Sequence, residues 1–254
     1  MNVQALMMGY ETPLIIVDSA HFDGTNDYMT RGAGLNGAAD SKTGIVSFWV
    51  RLDGGDGTAM EVLTGVTTLA GATQRFVVVR GGTNKFSIGA WNAGGTVILD
   101  YNSSAYTAGA TWLHVLASWD LSASARNLYI NDVSDVNAVS TLTNDTIDYT
   151  LADWGVGANP DGSSKMNGCF AEMYFAPGQY LDFSAVYNRR KFISSGKKPV
   201  YLGSTGALPT GTAPLIYQHL DHSEAVADFA TNRSTGGNFT ITGTLDTAST
   251  SPSD

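Results

Sequence analysis

The chain holds four glutamates, Glu11, Glu61, Glu172 and Glu224, and four histidines, His21, His114, His219 and His222. Acid–base or metal chemistry would fall to these groups. Hydrolysis of a glycosidic bond with retention needs two carboxylates held close together, one as nucleophile and one as acid, typically in an E-x-D-x-x-E pattern on one strand. None of the four glutamates belongs to such a set. Glu172 lies in the apolar run GCFAEMYF and reads as a charge at a strand edge or a buried, hydrogen-bonded group. His219 and His222 are three apart, a spacing that does not give two ligands on one side of a strand end. There is no H-E-x-x-H pair and no Cys/His cluster, so zinc is not expected. Nucleophile-elbow, phosphate-loop and dinucleotide signatures are also missing. The chain therefore reads as non-enzymatic, with glycoside hydrolysis ranked last among its functions.

Strands must position whatever groups act. Residues 110–133, ATWLHVLASWDLSASARNLYINDV, hold two apolar-rich runs, 112–119 and 128–130, around a polar turn at 120–127. Trp112, His114, Leu116 and Ser118 alternate with Leu113, Val115, Ala117 and Trp119, which places the two sets on opposite faces of an extended segment. This predicts a β-hairpin buried on at least one face, with His114 as a structural residue pairing across it. Further strands are predicted at 14–17, 45–52, 60–69, 75–80, 85–91, 96–101, 146–150, 153–157, 168–175, 215–220 and 239–245. In 168–175, strict alternation puts Phe170, Glu172 and Tyr174 on one face, and Cys169, Ala171, Met173 and Phe175 on the other. One short helix is predicted, 182–195, capped by Asp182 and closed by Gly196. Phe183, Val186, Tyr187, Phe192 and Ile193 form its apolar stripe, and Arg189, Arg190 and Lys191 its solvated face.

The 254 residues include 29 glycines, and only 15% are charged, a composition of many turns and little long helix. One domain is expected: an N-terminal arm at 1–13, a sandwich at 14–246 with a helical insertion at about 182–203, and a polar tail at 247–254. The arm's Leu6, Met7 and Met8 are candidate partner-docking residues. A net charge of −9 disfavours nucleic acid and anionic membrane as partners. Cys169 is the single cysteine, so no intrachain disulfide forms, and it reads as a small buried residue. The N-terminus lacks a basic region, and Gly9, Glu11 and Pro13 break its apolar stretches. No signal peptide and no membrane insertion are expected, which implies synthesis in a host cytoplasm.

Four segments, FDGTNDY at 22–28, VSFWVR at 46–51, the hairpin at 112–133 and MNGCFAEMYF at 166–175, resemble laminin-G-like, concanavalin A-like jelly rolls. The resemblance implies an all-β fold, a two-layer antiparallel β-sandwich. In that family an L-x-x-D-type element precedes the FDG element. Here a similar stretch, HLDHSEAVADFATNRSTGGNFTITGTL, comes at 219–245. The first strand of the usual order is thus expected from the C-terminus, with the chain ends as neighbours in one sheet. No cofactor is required, but the resemblance implies calcium as the ion to look for, with Asp23, Asn26 and Asp27, or Asn159 and Asp161, as oxygen donors. Turn chemistry alone also explains both runs. Most of the five tryptophans read as core. Trp91 and Trp154 are nearest to loops and are the candidate carbohydrate-binding platforms.

Residues 175–203 and 230–254 also look like parts of tailed-phage and prophage structural proteins. That likeness implies a virion location and a structural role as a capsid decoration, spike or tail-fibre-associated module. Its partners would be other virion subunits and further copies of itself in a homo-oligomer. The alternative is a carbohydrate-binding adhesin for host-surface glycans, assisted by calcium.

Overall fold

The strand Leu113–Asp120 is apolar on both sides, and this sets the architecture. Leu113, Val115, Ala117 and Trp119 enter the main core. Leu116 enters a second cluster on the opposite side of the same strand. One edge pairs antiparallel with Ala125–Ile130, closing the predicted hairpin, and the other with Thr43–Leu52. His114 bonds towards that second neighbour: its Nε2 is 2.8 Å from Ser47 Oγ, and its ring lies 4.7 Å from that of Trp49.

The computed structural model describes residues 14–69 and 73–254; the expected arm with Leu6, Met7 and Met8 lies outside them. Two antiparallel sheets make up the sandwich. The front sheet runs Val133–Ser134, Ala125–Ile130, Leu113–Asp120, Thr43–Leu52, Asn167–Pro177, Ala20–Asp23 and Asp246–Thr247, with Ile216–Gln218 also paired to Asn167–Pro177. The back sheet runs Ala138–Leu142, Val97–Ala105, Lys85–Trp91, Gln74–Arg80, Met60–Val66, Asp153–Val156, Tyr28–Arg31 and Thr240–Thr242. Alternate residues of both sheets meet between them. Phe48, Val50, Phe170 and Phe175 from the front face Phe76, Val78, Phe86 and Ile88 from the back. The rings of Phe76 and Phe175 stand 4.8 Å apart, and such pairs add about 0.5–1.5 kcal/mol beyond their buried area.

The C-terminal segment completes both sheets, as the displaced element suggested. Asp246 and Thr247 pair with His21 and Ala20, and Thr240–Thr242 pairs with Tyr28–Arg31. The segment 247–254 is not a free tail but is tied down. Ser19 Oγ donates to the Thr250 carbonyl at 2.8 Å, and Val17 N–H to Ser253 Oγ at 3.0 Å.

Three local expectations need correction. The strand expected at 146–150 is a single bridge, Ile147 with Ser41. The helix covers only Val186–Arg189. Asp182 caps a turn through Ser184 instead of a helix. The Arg189 guanidinium donates to the carbonyls of Phe183 and Ser184, so a side chain serves groups that a longer helix would have bonded internally. The apolar stripe is split, with Phe183, Phe192 and Ile193 buried and Val186 and Tyr187 exposed. Arg189 and Arg190 are not a solvated face, since both grip Asp132, at 2.6 and 2.7 Å. In Asn167–Pro177 the alternation breaks at Glu172, which has φ 51° at a bulge between Ala171 and Met173. Phe170, Met173 and Phe175 therefore share the core face. Ala171 and Tyr174 face the other side.

Gly44 lies opposite Trp119, and a β-carbon there would stand 2.3 Å from the indole. The indole is fully buried, with Nε1–H bonded to Tyr149 Oη at 2.9 Å. Gly44→Ala is expected to lower unfolding stability by about 2–3 kcal/mol, read from the urea midpoint at unchanged m-value.

Candidate functional site

The outer face of the front sheet is roofed. Phe183, Phe192, Val200 and Leu202 pack on Ile45, Leu116, Tyr174 and Tyr217. Beside them Ile193 and Val17 cover Trp49 and Ala171. A recess of about 340 Å³ lies at the edge of the roof, bordered by Trp112, Asn131, Lys197 and Lys198.

Among the described residues, no comparable apolar roof packs on the outer face of the back sheet. Its side chains are those that alternate with the core residues: Arg75, Val77 and Val79, then Lys85, Ser87 and Trp91, then Asp100 and Asn102. Gly89 stands between Val77 and Asp100 in the register. A β-carbon on Gly89 would lie 3.5 Å from the Trp91 ring and 3.1 Å from Val77, so the missing side chain leaves the shelf on which the indole rests. Trp91 is half-buried there. Polar groups flank it. The Asp148 N–H donates to the Trp91 carbonyl at 3.0 Å, and the Asp148 carboxylate lies 3.9 Å from Arg75 Nε. That Nε–H is buried and makes no hydrogen bond. Asn92 reaches Asp145 at 2.7 Å. Nearer the middle of the face, Glu61 is held by Thr64 at 2.7 Å and Gln74 at 3.0 Å, and burial raises its carboxyl pKa. An aromatic plane edged by a guanidinium, carboxylates and amides suits a sugar ring, which offers C–H groups on its face and hydroxyls around its rim.

The other tryptophan candidate falls away. Trp154 is fully buried, because Asp153–Val156 is an internal strand whose indole meets Phe76 and Phe175. Trp112, which alternation placed on one face with His114 and Leu116, is half-exposed beside the recess, with Nε1–H on Thr250 Oγ1 at 3.2 Å. Its place at the start of the strand was the available signal. The proposed calcium donors are engaged in turns. Asp23 Oδ1 accepts N–H groups from Thr25, Asn26 and Asp27, and the bonds from Asn26 and Thr25 hold its carboxyl below the usual range. Asp27 is buried and accepts from the N–H groups of Asp23 and Thr244, while Asn26 is exposed. Asp161 caps Ser163 in the same manner, and Asn159 Nδ2 reaches Ser163 Oγ at 3.3 Å. Residues distant in sequence form one group that spacing did not reveal: His21, Asp53 and Cys169.

A family model described as the concanavalin A-like lectin/glucanases superfamily, in its laminin-G form, matches residues 23–178. The chain belongs to this superfamily. A search of the curated proteins finds no match. Among solved structures, an assumed carbohydrate-binding protein from Bacteroides ovatus superposes with a TM-score of 0.61 at 13% identity, over 92% of this chain and 61% of that one. This chain thus spans less than two thirds of that relative's length. A heptameric pentraxin from Limulus polyphemus has a TM-score of 0.49 at 10% identity, over 68% of this chain and 82% of its own. The carbohydrate-binding module of a Ruminococcus gnavus sialidase, solved with sialyllactose, has a TM-score of 0.47 at 14% identity, over 71% and 96% of the two chains. Identities this low speak to fold alone.

In a superfamily whose name joins lectins to glucanases, the carboxylates matter. Glu61 belongs to the back sheet and Glu172 to the front, so these two do not form a pair across one cleft. Glu172 is 3% exposed, and its Oε1 is 3.3 Å from the Tyr217 hydroxyl. Burial pushes its pKa up to about 8, against the opposing pull of that hydrogen bond. A carboxyl raised on folding adds stability at low pH that is lost as pH climbs through the folded value. His219, whose pKa burial lowers, acts in the opposite sense at the acid end, so parent and variant must be compared. Glu172→Gln is expected to remove much of the decline in stability between about pH 5 and pH 8, and to be about 1–3 kcal/mol more stable than the parent at the upper end. Urea unfolding at both pH values checks this.

Proposed function

We propose that this chain is a non-catalytic carbohydrate-binding module that takes a glycan on the outer face of the back sheet, with Trp91 as the stacking platform. The observation that carries the reading is Trp91 laid on the Gly89 shelf beside the Arg75–Asp148 pair, on the sheet face that the roof leaves free. The superfamily match and the carbohydrate-binding names among proteins of similar fold support the same class of ligand. The binding energy would come from desolvating the indole face and the sugar's C–H face, with Arg75, Asp148 and Asp100 selecting the hydroxyl pattern.

Host-surface glycans are the ligands this reading favours. A virion role remains a proposal from the sequence likeness at residues 175–203. In the fold those residues roof the front sheet, which accounts for their apolar character without a particle partner.

A glycan array with the full chain, followed by calorimetry on the best ligand, tests the reading. Trp91→Ala is expected to weaken binding about tenfold or more, in line with about 1.5–3 kcal/mol for a buried stacking contact, with little change in melting temperature. Trp112→Ala is expected to leave binding unchanged. A blank array, or loss confined to Trp112→Ala, overturns the assignment.

A further inference from the structure

At one end of the front sheet, Cys169 stands directly opposite His21 on one neighbouring strand and Arg51 on the other. Asp53 follows immediately after Thr43–Leu52. Cys169 Sγ is 3.3 Å from Asp53 Oδ2, and His21 Nε2 is 3.7 Å from the same oxygen. One donor atom from each of the three lies within 4.8 Å of the others. Sulfur, nitrogen and oxygen donors bound to a tetrahedral ion at about 2.0–2.3 Å stand about 3.3–3.7 Å apart. Two of the three separations already fall in that range.

We propose that His21, Asp53 and Cys169 are three ligands of a divalent transition metal of the zinc class, with the fourth position left to water. The donor set is the reason for the class. Imidazole nitrogen and thiolate sulfur favour zinc-like ions, whereas calcium and magnesium take oxygen ligands. The site is independent of the glycan-binding face, which belongs to the other sheet. Asp53 also borders a cavity of about 530 Å³, together with Arg51, Gly109 and Thr250. His21 and Asp53 are partly exposed, and Cys169 forms the buried floor.

Without metal, Arg51 holds the cluster together. Its Nε–H donates to Asp53 Oδ1 at 2.8 Å, and Nη2 donates to Oδ2 at 3.0 Å and to Cys169 Sγ at 3.2 Å. One guanidinium nitrogen thus bridges the oxygen and sulfur that an ion would take. On binding, the ion takes Oδ2, Sγ and His21 Nε2, the thiol proton passes to solvent, and Arg51 keeps its bond to Oδ1 as an outer partner of the ligating carboxylate. Burial works against ionisation of Asp53, but Arg51, the thiol and His21 outweigh it and hold the carboxyl below its usual range. Burial, then the Asp53 charge, pushes the Cys169 thiol up to about 12, so an ion must displace that proton to bind.

The full chain, stripped with chelator and dialysed, is titrated with zinc chloride and with cobalt chloride. One equivalent is expected to bind, with release of one proton. The cobalt form should show a thiolate-to-metal charge-transfer band and visible bands of tetrahedral strength. Cys169→Ser is expected to lose the charge-transfer band. His21→Ala, at a partly exposed position, is expected to fold normally and to bind zinc about tenfold or more weakly. No stoichiometric binding, a cobalt complex without the thiolate band, or unchanged affinity in His21→Ala overturns the proposal.

Discussion

A sheet that is apolar on both faces must be covered twice, and most of this structure follows from that. Leu113–Asp120 gives Val115, Ala117 and Trp119 to the inter-sheet core and Leu116 to the opposite side. Thr43–Leu52 does the same with Phe48 and Ile45. Burying both sets is worth roughly 1.5–3 kcal/mol for each large side chain, but only if a second layer lies on the outer face. The chain supplies that layer from its own length. The segment around Phe183, Phe192, Val200 and Leu202 covers one part, and the stretch near Val17 and the end near Thr250 and Ser253 covers another.

The consequence is a division of labour between the sheets. The chain itself covers most of the front sheet's outer face, and the His21, Asp53 and Cys169 group lies at one end of that sheet. The back sheet packs one face on the core and presents the other, with half-buried polar and aromatic groups around Trp91. Its grip on a ligand would not disturb the aromatic seam of Phe76, Trp154 and Phe175 beneath it, because that seam is closed by contacts from both sheets.

Sequence patterns revealed what is local. The alternation in 112–119 fixed both faces of its strand, and the displaced element at 219–245 pointed to the C-terminal edge strands. Features set by remote contacts were hidden. Glu172 breaks its strand's alternation by adopting φ 51°, a conformation that nothing in GCFAEMYF announces. The helix near Asp182 shortens because Arg189 is drawn to Asp132 and to nearby carbonyls. Trp154 stands between Asp153 and Gly155 in sequence, yet it lies in an internal strand. Of the two tryptophans chosen as platforms, only Trp91 has a surface position, and Gly89, which shapes it, attracts no notice in sequence. His21, Asp53 and Cys169 meet only because three separate strands lie side by side.

The central claim is that a glycan sits on the back sheet's outer face and not on the roofed front face. Amide chemical-shift mapping during titration of the isotope-labelled chain with its best glycan tests this most directly. The account predicts that the largest shifts cluster at Arg75, Ser87, Gly89, Trp91 and Asp100. Shifts concentrated on the roof near Phe183 and Phe192, or around Trp112 and Lys197, would contradict it.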